Sequence, residues 1–269
     1  MQLVTVSIGF FLSGPTLITW QTVYTPLLLG SYLAASGAGA LNQYIEIDID
    51  RKMDRTSSRP LVTGTIQPIP ALIFGMMLTT LGIGMHMMFV NELTALITSL
   101  TILIYLGVYT PLKRLSWLNT FVGAIPGALP ILGGWTAVTG YLSPTAWILF
   151  VVMFTWQHPH FFALAISIAD DYKKGGLQML PLLKNGQNRT MRQIVLYTFL
   201  MILTATVPVF IGLLGNIYFF GMTTAGIGFF FLVLKLIRVP HKKEARHVFL
   251  GSIIYLQIWM FCIIFDKLL

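Results

Sequence analysis

Charged residues are scarce in this chain of 269 residues, and so is cysteine. Asp, Glu, Lys and Arg make up 10% of the sequence and hydrophobic residues 56%, whereas soluble domains carry about 25% charged residues. A soluble globular protein is therefore excluded. Cys262 is the only cysteine, which excludes a disulfide within the chain. The amino terminus has no basic segment ahead of its apolar run, so we do not predict a signal peptide.

Long apolar runs take the place of the missing charge. Runs long enough to cross about 30 Å of hydrocarbon as helices occupy residues 24–43, 69–90, 93–110, 118–138, 144–166, 193–215, 217–235 and 248–265. A further apolar segment lies near 1–20 and contains Ser13-Gly14-Pro15. It is either one kinked span or helical only in its first dozen residues, with a beginning left out. The sequence thus predicts an all-α, multi-pass membrane bundle of about nine transmembrane helices.

Basic residues are confined to alternate connections between these spans. Sixteen of the seventeen lie in 51–59, 113–114, 173–192 and 235–246. The connections near 91, 140 and 215 carry neither Lys nor Arg. Because basic loops stay on the cytoplasmic side, we predict that all four basic loops face the cytoplasm. The net charge of +8 then reflects orientation and contact with membrane lipid headgroups, and it gives no reason to invoke nucleic acid.

An acidic ladder follows the first complete span. Asn42, Glu46, Asp50 and Asp54 recur at a spacing of four, which on a helix places them along nearly one stripe, about 6 Å apart. Carboxylates in this arrangement repel one another unless cations neutralise them. The ordinary alternative is a solvated loop held by local ion pairs. Asp48 lies on the other side of this helix, and we expect its loss to matter less.

A second acidic pair, Asp170-Asp171, emerges on the same predicted face. The two segments together hold six of the nine acids, set among nine basic residues. Oxygen ligands of this kind bind Mg²⁺, which is usually shared with substrate phosphates, while Arg and Lys contact the remaining phosphate oxygens. An apolar bundle suits an apolar substrate. A lipid-linked diphosphate combines both properties, and loss of diphosphate from an allylic chain leaves a carbocation that a dry pocket can protect.

Several dispersed motifs carry a family resemblance over most of the chain. They are Asn42 with Glu46 and Asp50, residues 53–56 (Met-Asp-Arg-Thr), 59–61 (Arg-Pro-Leu), 109–114 (Tyr-Thr-Pro-Leu-Lys-Arg), Asn119, Gly123, 126–130 (Pro-Gly-Ala-Leu-Pro), 134–135 (Gly-Trp), 156–161 (Trp-Gln-His-Pro-His-Phe), 171–172 (Asp-Tyr) and 179–181 (Met-Leu-Pro). On these motifs the chain resembles the UbiA superfamily of intramembrane prenyltransferases. The last three blocks resemble its branch that farnesylates protohaem IX.

The resemblance implies a single membrane-embedded prenyltransferase domain over residues 1–269, with Mg²⁺ as cofactor. The implied metal-site residues are Asn42, Glu46, Asp50, Asp54, Asp170 and Asp171. The second site departs from the family pattern, because Lys174 and Gly175 stand four residues after Asp170 and Asp171 where other members have acids. Asp171 is the better candidate of the two.

Catalytic and substrate-binding roles are expected on the same face. The catalytic candidates are Asp50, Arg55, Arg59, Lys113 and Asp171; the substrate-binding candidates are Asn42, Arg55, Arg59, Lys113, Arg114, His158, His160, Tyr172, Lys173 and Lys174. The basic members are diphosphate contacts in this interpretation. The alternative is that they anchor the topology or bind lipid headgroups.

The expected reaction transfers farnesyl from farnesyl diphosphate to a vinyl group of haem B, with addition of water, and yields haem O and diphosphate. His158 and His160 flank Pro159 within a span, so either ring could bind the haem iron or orient the porphyrin; alternatively, each is simply hydrogen-bonded in a polar pocket. We expect a prokaryotic plasma membrane, with haem A synthase or oxidase assembly proteins as possible partners. The alternatives are a related prenyltransferase with an aromatic or quinone-precursor acceptor, and a transporter with an intramembrane acidic site.

Overall fold

The computed structural model describes residues 2–269, and within that range every regular element is helical. The longer helices are α1 Gln2–Leu12, α3 Tyr24–Ile45, α6 Pro68–Phe89, α7 Glu92–Leu103, α9 Asn119–Thr139, α10 Pro144–Ser167, α12 Gly186–Phe210, α13 Asn216–Arg238 and α14 Lys242–Leu268. Short helical turns join them: α2 Leu17–Thr22, α4 Ile47–Asp50, α5 Pro60–Thr63, α8 Thr110–Leu115, α11 Ala169–Lys174 and a 3₁₀ turn at Leu180–Leu182. The predicted all-α membrane bundle is confirmed.

Seven helical segments of the described chain are long and apolar enough to cross a membrane. Each coincides with a predicted span, although the span predicted at 93–110 runs on to Leu115. The helix α3 covers the span predicted at 24–43 and is not one of the seven, since Ser31, Ser36, Asn42 and Gln43 dilute its apolar character. With α3 and the shorter apolar helix α1, residues 2–269 contain nine long or apolar helices, which is roughly consistent with the predicted number of about nine spans.

The opening segment does not form one continuous helix. The first helix ends at Leu12, Gly14 adopts a positive φ of 75°, and a new helix begins after Thr16, whose hydroxyl accepts a hydrogen bond from the Thr19 amide at 3.2 Å. Pro15 has no amide hydrogen to continue the ladder. The segment is therefore not one continuous span, and it is also not helical in its first dozen residues alone, because the short helix α2 follows α1 after the break.

Contacts group the chain into two compact units. The first contains the chain up to Phe150 together with Asp170–Gln178; the second contains Val151–Ala169 and Met179–Leu269. All carboxylates and cations of the predicted diphosphate site, from Asn42 to Lys174, lie in the first unit. The two predicted haem histidines lie in the second.

Close helix packing in the first unit depends on glycines, which have no side chain. A Cβ on Gly37 of α3 would lie 2.6 Å from the Thr79 amide nitrogen of α6, and one on Gly82 would lie 2.5 Å from the Gly30 carbonyl oxygen. Small residues let membrane helices approach until their backbones touch. The same device joins α1 to α9, because a Cβ on Gly134 would collide with the Val6 carbonyl oxygen. The contacts with α6 fix the position of α3, which carries Asn42 near its carboxyl end and leads into Glu46.

The second unit is held by buried polar contacts. The Trp156 indole donates to the Ser252 carbonyl at 2.8 Å, and the Trp259 indole donates to the Tyr218 hydroxyl at 2.8 Å. The carboxylate of Asp266 accepts from the backbone amide of Tyr218 at 3.0 Å and so caps the start of α13. Each bond satisfies a donor that would otherwise be costly in an apolar environment.

Candidate diphosphate and metal site

The acidic ladder begins as a helix and then leaves it. Backbone hydrogen bonds of helical spacing join Glu46 to Asn42 at 3.0 Å and Asp50 to Glu46 at 2.8 Å. The helix α3 nevertheless ends at Ile45, Glu46 takes φ −103° and ψ 14°, and Asp54 lies in the turn beyond α4. The prediction that all four residues share one helical stripe is wrong for Asp54. Isoleucines at 45, 47 and 49 favour helix weakly, because a β-branched side chain loses rotamer freedom there.

Each of the first two ladder acids is paired with one cation. The ammonium of Lys113 lies 2.5 Å from Glu46 Oε1, and the guanidinium of Arg59 lies 2.5 Å from Asp50 Oδ2. The carboxylate side chains are only 8% and 2% exposed. Asn42 completes the group, with its amide nitrogen donating to the Thr110 hydroxyl at 3.1 Å. The structure thus brings together five of the predicted site residues, namely Asn42, Glu46, Asp50, Arg59 and Lys113.

The donor set of this group suits a hard cation that shares its ligands with a substrate. Glu46 Oε1 is buried and accepts no hydrogen bond of regular geometry, although it touches the Lys113 ammonium. Residues 2–269 contain no cluster of three or more His, Cys, Asp or Glu side chains placed to hold a metal alone. Mg²⁺ commonly takes one or two carboxylates and completes its shell with phosphate oxygens and water. Two carboxylates and the Asn42 amide oxygen match that requirement.

An aromatic wall of Tyr105 and Tyr109 stands beside this group. A π-helical turn, Ile104–Tyr109, interrupts the helix before α8, and such turns are frequent at functional sites. The two tyrosine rings stack at 5.7 Å, and the Lys113 ammonium lies 5.1 Å from the Tyr109 ring centroid. A Cβ on Gly123 would lie 2.6 Å from that ring, so glycine makes room for it.

Lys113 and Arg114 are neighbours in sequence but serve different carboxylates. Arg114 donates two hydrogen bonds to Asp48, at 2.8 and 2.7 Å, and a third to the Ile45 carbonyl at 3.3 Å. This pair is solvent-exposed, and the hydrogen bonds from Arg114 lower the pKa of Asp48. Arg114 is therefore paired with Asp48 and not with Glu46 or Asp50, and its predicted contact with diphosphate stays a prediction.

The second acidic segment meets the first loop directly. Asp171 accepts hydrogen bonds from the backbone amides of Asp54 and Arg55, both at 3.3 Å, and Lys174 donates to Asp54 at 2.5 Å. The hydrogen bond to Asp54 raises the pKa of Lys174. Burial raises the pKa of the Tyr172 hydroxyl, which also feels the positive charge of Arg55. The two predicted loops do converge, through backbone and ion-pair contacts.

The remaining second-segment residues flank this contact. Asp170 stands beside Asp171 in the first turn of α11, and Lys173 is an exposed residue of its last turn. The structure does not place Asp54, Asp170 and Asp171 in one metal-binding group. Their metal roles stay predictions.

The two intramembrane histidines occupy different environments in the second unit. His158 stacks on the Tyr197 ring at 3.8 Å, and its Nδ1 lies 2.7 Å from the Phe154 carbonyl oxygen. His160 Nδ1 lies 2.7 Å from the Ser252 hydroxyl, and its ring stacks on Trp156 at 5.0 Å. Each ring is oriented by aromatic packing and by a hydrogen bond at Nδ1, which is how ligating histidines are commonly held.

A family model for the UbiA prenyltransferase family matches residues 2–261. The chain belongs to the UbiA prenyltransferase family. It is thereby a prenyltransferase, and the transporter alternative no longer applies. Its curated relatives include "Protoheme IX farnesyltransferase" of Solibacter usitatus, 36% identical over 98% of this chain and 94% of the relative, and the protein of the same name from Sorangium cellulosum, 43% identical over 85% and 82%.

Solved structures share the fold of this UbiA-family protein. A UbiA homologue from Aeropyrum pernix K1 in its apo form superposes with a TM-score of 0.77, 21% identity and coverage of 99% of this chain and 96% of the homologue. A UbiA homologue from Archaeoglobus fulgidus bound to DMAPP and Mg²⁺ superposes with a TM-score of 0.69, 18% identity and coverage of 97% and 94%.

Sequence reasoning assigned no role to Tyr105, Tyr109 or Thr110, although all three adjoin the ladder in this family member. Thr110 accepts from Asn42 and donates to the Tyr105 carbonyl at 2.8 Å. The available signal was the spacing of Tyr105, Tyr109 and Lys113, four residues apart like the acids opposite.

Proposed function

We propose that this protein transfers the farnesyl group of farnesyl diphosphate to a vinyl group of haem B. Water adds in the same overall reaction, so that haem B, farnesyl diphosphate and water give haem O and diphosphate. The curated relatives named protoheme IX farnesyltransferase support the substrates, and the complex of a family member with DMAPP and Mg²⁺ supports metal dependence. The observation that carries the proposal is a pair of buried carboxylates, each matched by one cation.

The ladder residues would hold the diphosphate head. Asn42, Glu46 and Asp50 supply the oxygen ligands for Mg²⁺, which when bound neutralises part of the charge on the diphosphate oxygens. Arg59 and Lys113 already lie against these carboxylates at 2.5 Å. Both cations are placed to exchange a carboxylate oxygen for a diphosphate oxygen once the substrate arrives. Arg55 approaches from the same loop.

Farnesyl transfer then proceeds by departure of diphosphate. The allylic carbon–oxygen bond breaks, its electron pair leaves with diphosphate, and positive charge spreads over the allylic carbons. Fixed cations that meet charge as it develops are the largest contributors to many enzymatic rates. The tyrosine rings at 105 and 109 stand beside Lys113 and the ladder, where electron-rich ring faces would favour positive charge.

The acceptor half of the reaction completes the balance. The terminal vinyl carbon of haem B donates its π electrons to the farnesyl cation, and the positive charge passes to the carbon attached to the porphyrin. Water adds there and releases one proton, which leaves the hydroxyl group of haem O. His158 and His160 are the side chains we assign to holding haem B.

Topology follows from charge. We place the basic loops, and with them the ladder, on the cytoplasmic side of a prokaryotic plasma membrane, because Lys and Arg are confined to alternate connections. Haem O released there would serve haem A formation and oxidase assembly. Extraction of haem from cells with and without the protein tests the proposal: mass spectra should show a hydroxyfarnesyl gain with the wild type only. Cells that express Asp50→Asn should resemble cells without the protein, and an unmodified haem pool with the wild type would refute it.

A further inference from the structure

Both carboxylate oxygens of Asp171 accept hydrogen bonds from the backbone of the loop at 51–59. Its Oδ1 accepts from the Asp54 amide and its Oδ2 from the Arg55 amide, each at 3.3 Å. Two successive backbone N–H groups that point at one carboxylate make an anion-binding nest. The carboxylate thus faces a peptide turn, and it holds that turn by charge-assisted hydrogen bonds.

Further contacts tie the same segment down along its length. Lys174 pairs with Asp54, and the amide of Gln178 donates to the Lys113 carbonyl at 2.8 Å. Gly175, which lies between Lys174 and Gln178 in the sequence, is buried. The segment therefore bridges from the first loop to the helix that carries Lys113.

The turn held by Asp171 leads directly to the ladder. Beyond the two bonded amides, the Thr56 hydroxyl donates to the Asp50 carbonyl at 2.9 Å, and the Arg59 amide donates to the Thr56 carbonyl at 3.0 Å. The Arg59 guanidinium then reaches the Asp50 carboxylate. A continuous chain of contacts runs from Asp171 to the cation that faces the buried acid.

A second divalent cation does not fit this segment. Both Asp171 oxygens already accept backbone hydrogen bonds, and Asp54 is 76% exposed and paired with Lys174. Lys174 and Gly175, four residues after Asp170 and Asp171, supply no carboxylate. We infer that Asp171 is a positioning residue, which orders the turn at 51–59 and presents its arginines to the ladder, and that it is not a metal ligand. The inference rests on the proposed function for the identity of the bound diphosphate.

Amide hydrogen exchange of the full-length protein in detergent tests whether Asp171 holds the turn at 51–59. In Asp171→Asn and Asp171→Ala, the Asp54 and Arg55 amides should exchange about tenfold faster or more, because their acceptor is weakened or lost. Asp170→Asn is the matched control, since it removes the same charge one residue away and should leave that exchange unchanged. Unaltered exchange in both Asp171 variants would overturn the inference.

The number of bound Mn²⁺ ions shows whether Asp171 orders the turn or binds a metal. With the uncleavable analogue farnesyl S-thiolodiphosphate, Asp171→Asn should bind as many Mn²⁺ ions per chain as the wild type, whereas Asp50→Asn should bind fewer. Loss of one ion in Asp171→Asn would overturn the inference. Should Asp171→Ala fail to fold, Asp171→Asn retains the shape of the side chain and one acceptor oxygen, and it supplies both readouts.

Parallel assays keep the two ideas apart. Failure of the wild type to form haem O, or to bind Mn²⁺ at all, would refute the proposed function. The exchange of the Asp54 and Arg55 amides depends on neither haem nor metal, and it still decides whether Asp171 holds the turn.

Discussion

The pairing of Lys113 with Glu46 predicts a large and specific stability effect. Both side chains are nearly buried, at 11% and 8% exposure, and their charged atoms lie 2.5 Å apart. At an effective dielectric constant of about 20, the attraction is roughly 6 to 7 kcal/mol before desolvation is subtracted. Removal of one partner of such a pair typically costs about 3 to 5 kcal/mol, since the other charge is left buried and uncompensated.

Lys113→Met should therefore lower the free energy of unfolding by about 3 to 5 kcal/mol. The double variant Glu46→Gln/Lys113→Met removes both charges and should return to within about 1 kcal/mol of the wild type. Titration of detergent-solubilised protein with SDS, followed by circular dichroism, measures these differences. Diphosphate release should be lost by about 100-fold in both variants, because restored stability does not restore the cation.

The exposed pair Arg114–Asp48 is the internal control. Its charged atoms are 2.7 Å apart, almost as close, but its side chains are 39% and 54% exposed. A double-mutant cycle on this pair should give a coupling of about 0 to 1 kcal/mol. Equal couplings for the two pairs, or a double variant no more stable than Lys113→Met, would refute the assignment of a buried, compensated carboxylate.

Three further predictions concern other parts of the molecule. The hydrogen bonds from Arg114 lower the pKa of Asp48. The wild type should therefore be more stable than Asp48→Asn by at most about 1 kcal/mol, with the full difference present above about pH 4 and lost as the pH falls through the lowered pKa. A difference that grows as the pH falls would contradict this. Gly123→Ala places a methyl group 2.6 Å from the Tyr109 ring, and it should cost about 1 to 3 kcal/mol in the SDS titration and slow farnesyl transfer; wild-type values for both would contradict the packing. His158→Ala and His160→Ala should weaken haem binding in an absorption titration and leave binding of farnesyl S-thiolodiphosphate unchanged, and unaltered haem affinity in both would exclude them from the haem site.

Apolar runs made most of the fold predictable. The span predicted at 144–166 is the helix Pro144–Ser167, and that predicted at 118–138 is Asn119–Thr139. Local spacing also grouped Asn42, Glu46 and Asp50 correctly, because backbone bonds of helical spacing persist through these residues. Length and hydropathy are local properties, so each could be recognised without knowledge of the partner helices.

Tertiary contacts decided what spacing could not. Asp54 leaves the helical stripe in a turn that Asp171 holds from 117 positions away, and no local pattern encodes that contact. Lys113 and Arg114 were both expected to contact diphosphate, yet Lys113 pairs with a buried acid and Arg114 with an exposed one. The tyrosines at 105 and 109 lie in a π-helical turn, which hydropathy alone does not predict.

Release of diphosphate by the purified protein, supplied with farnesyl diphosphate, haem B and Mg²⁺, tests the role of the buried carboxylates most directly. Single-turnover rates should fall by about 100-fold or more in Asp50→Asn and Glu46→Gln, and should stay close to the wild-type rate in Asp48→Asn, which removes an exposed acid from the same short segment. Wild-type release by Asp50→Asn, or an equal loss in Asp48→Asn, would contradict the assignment.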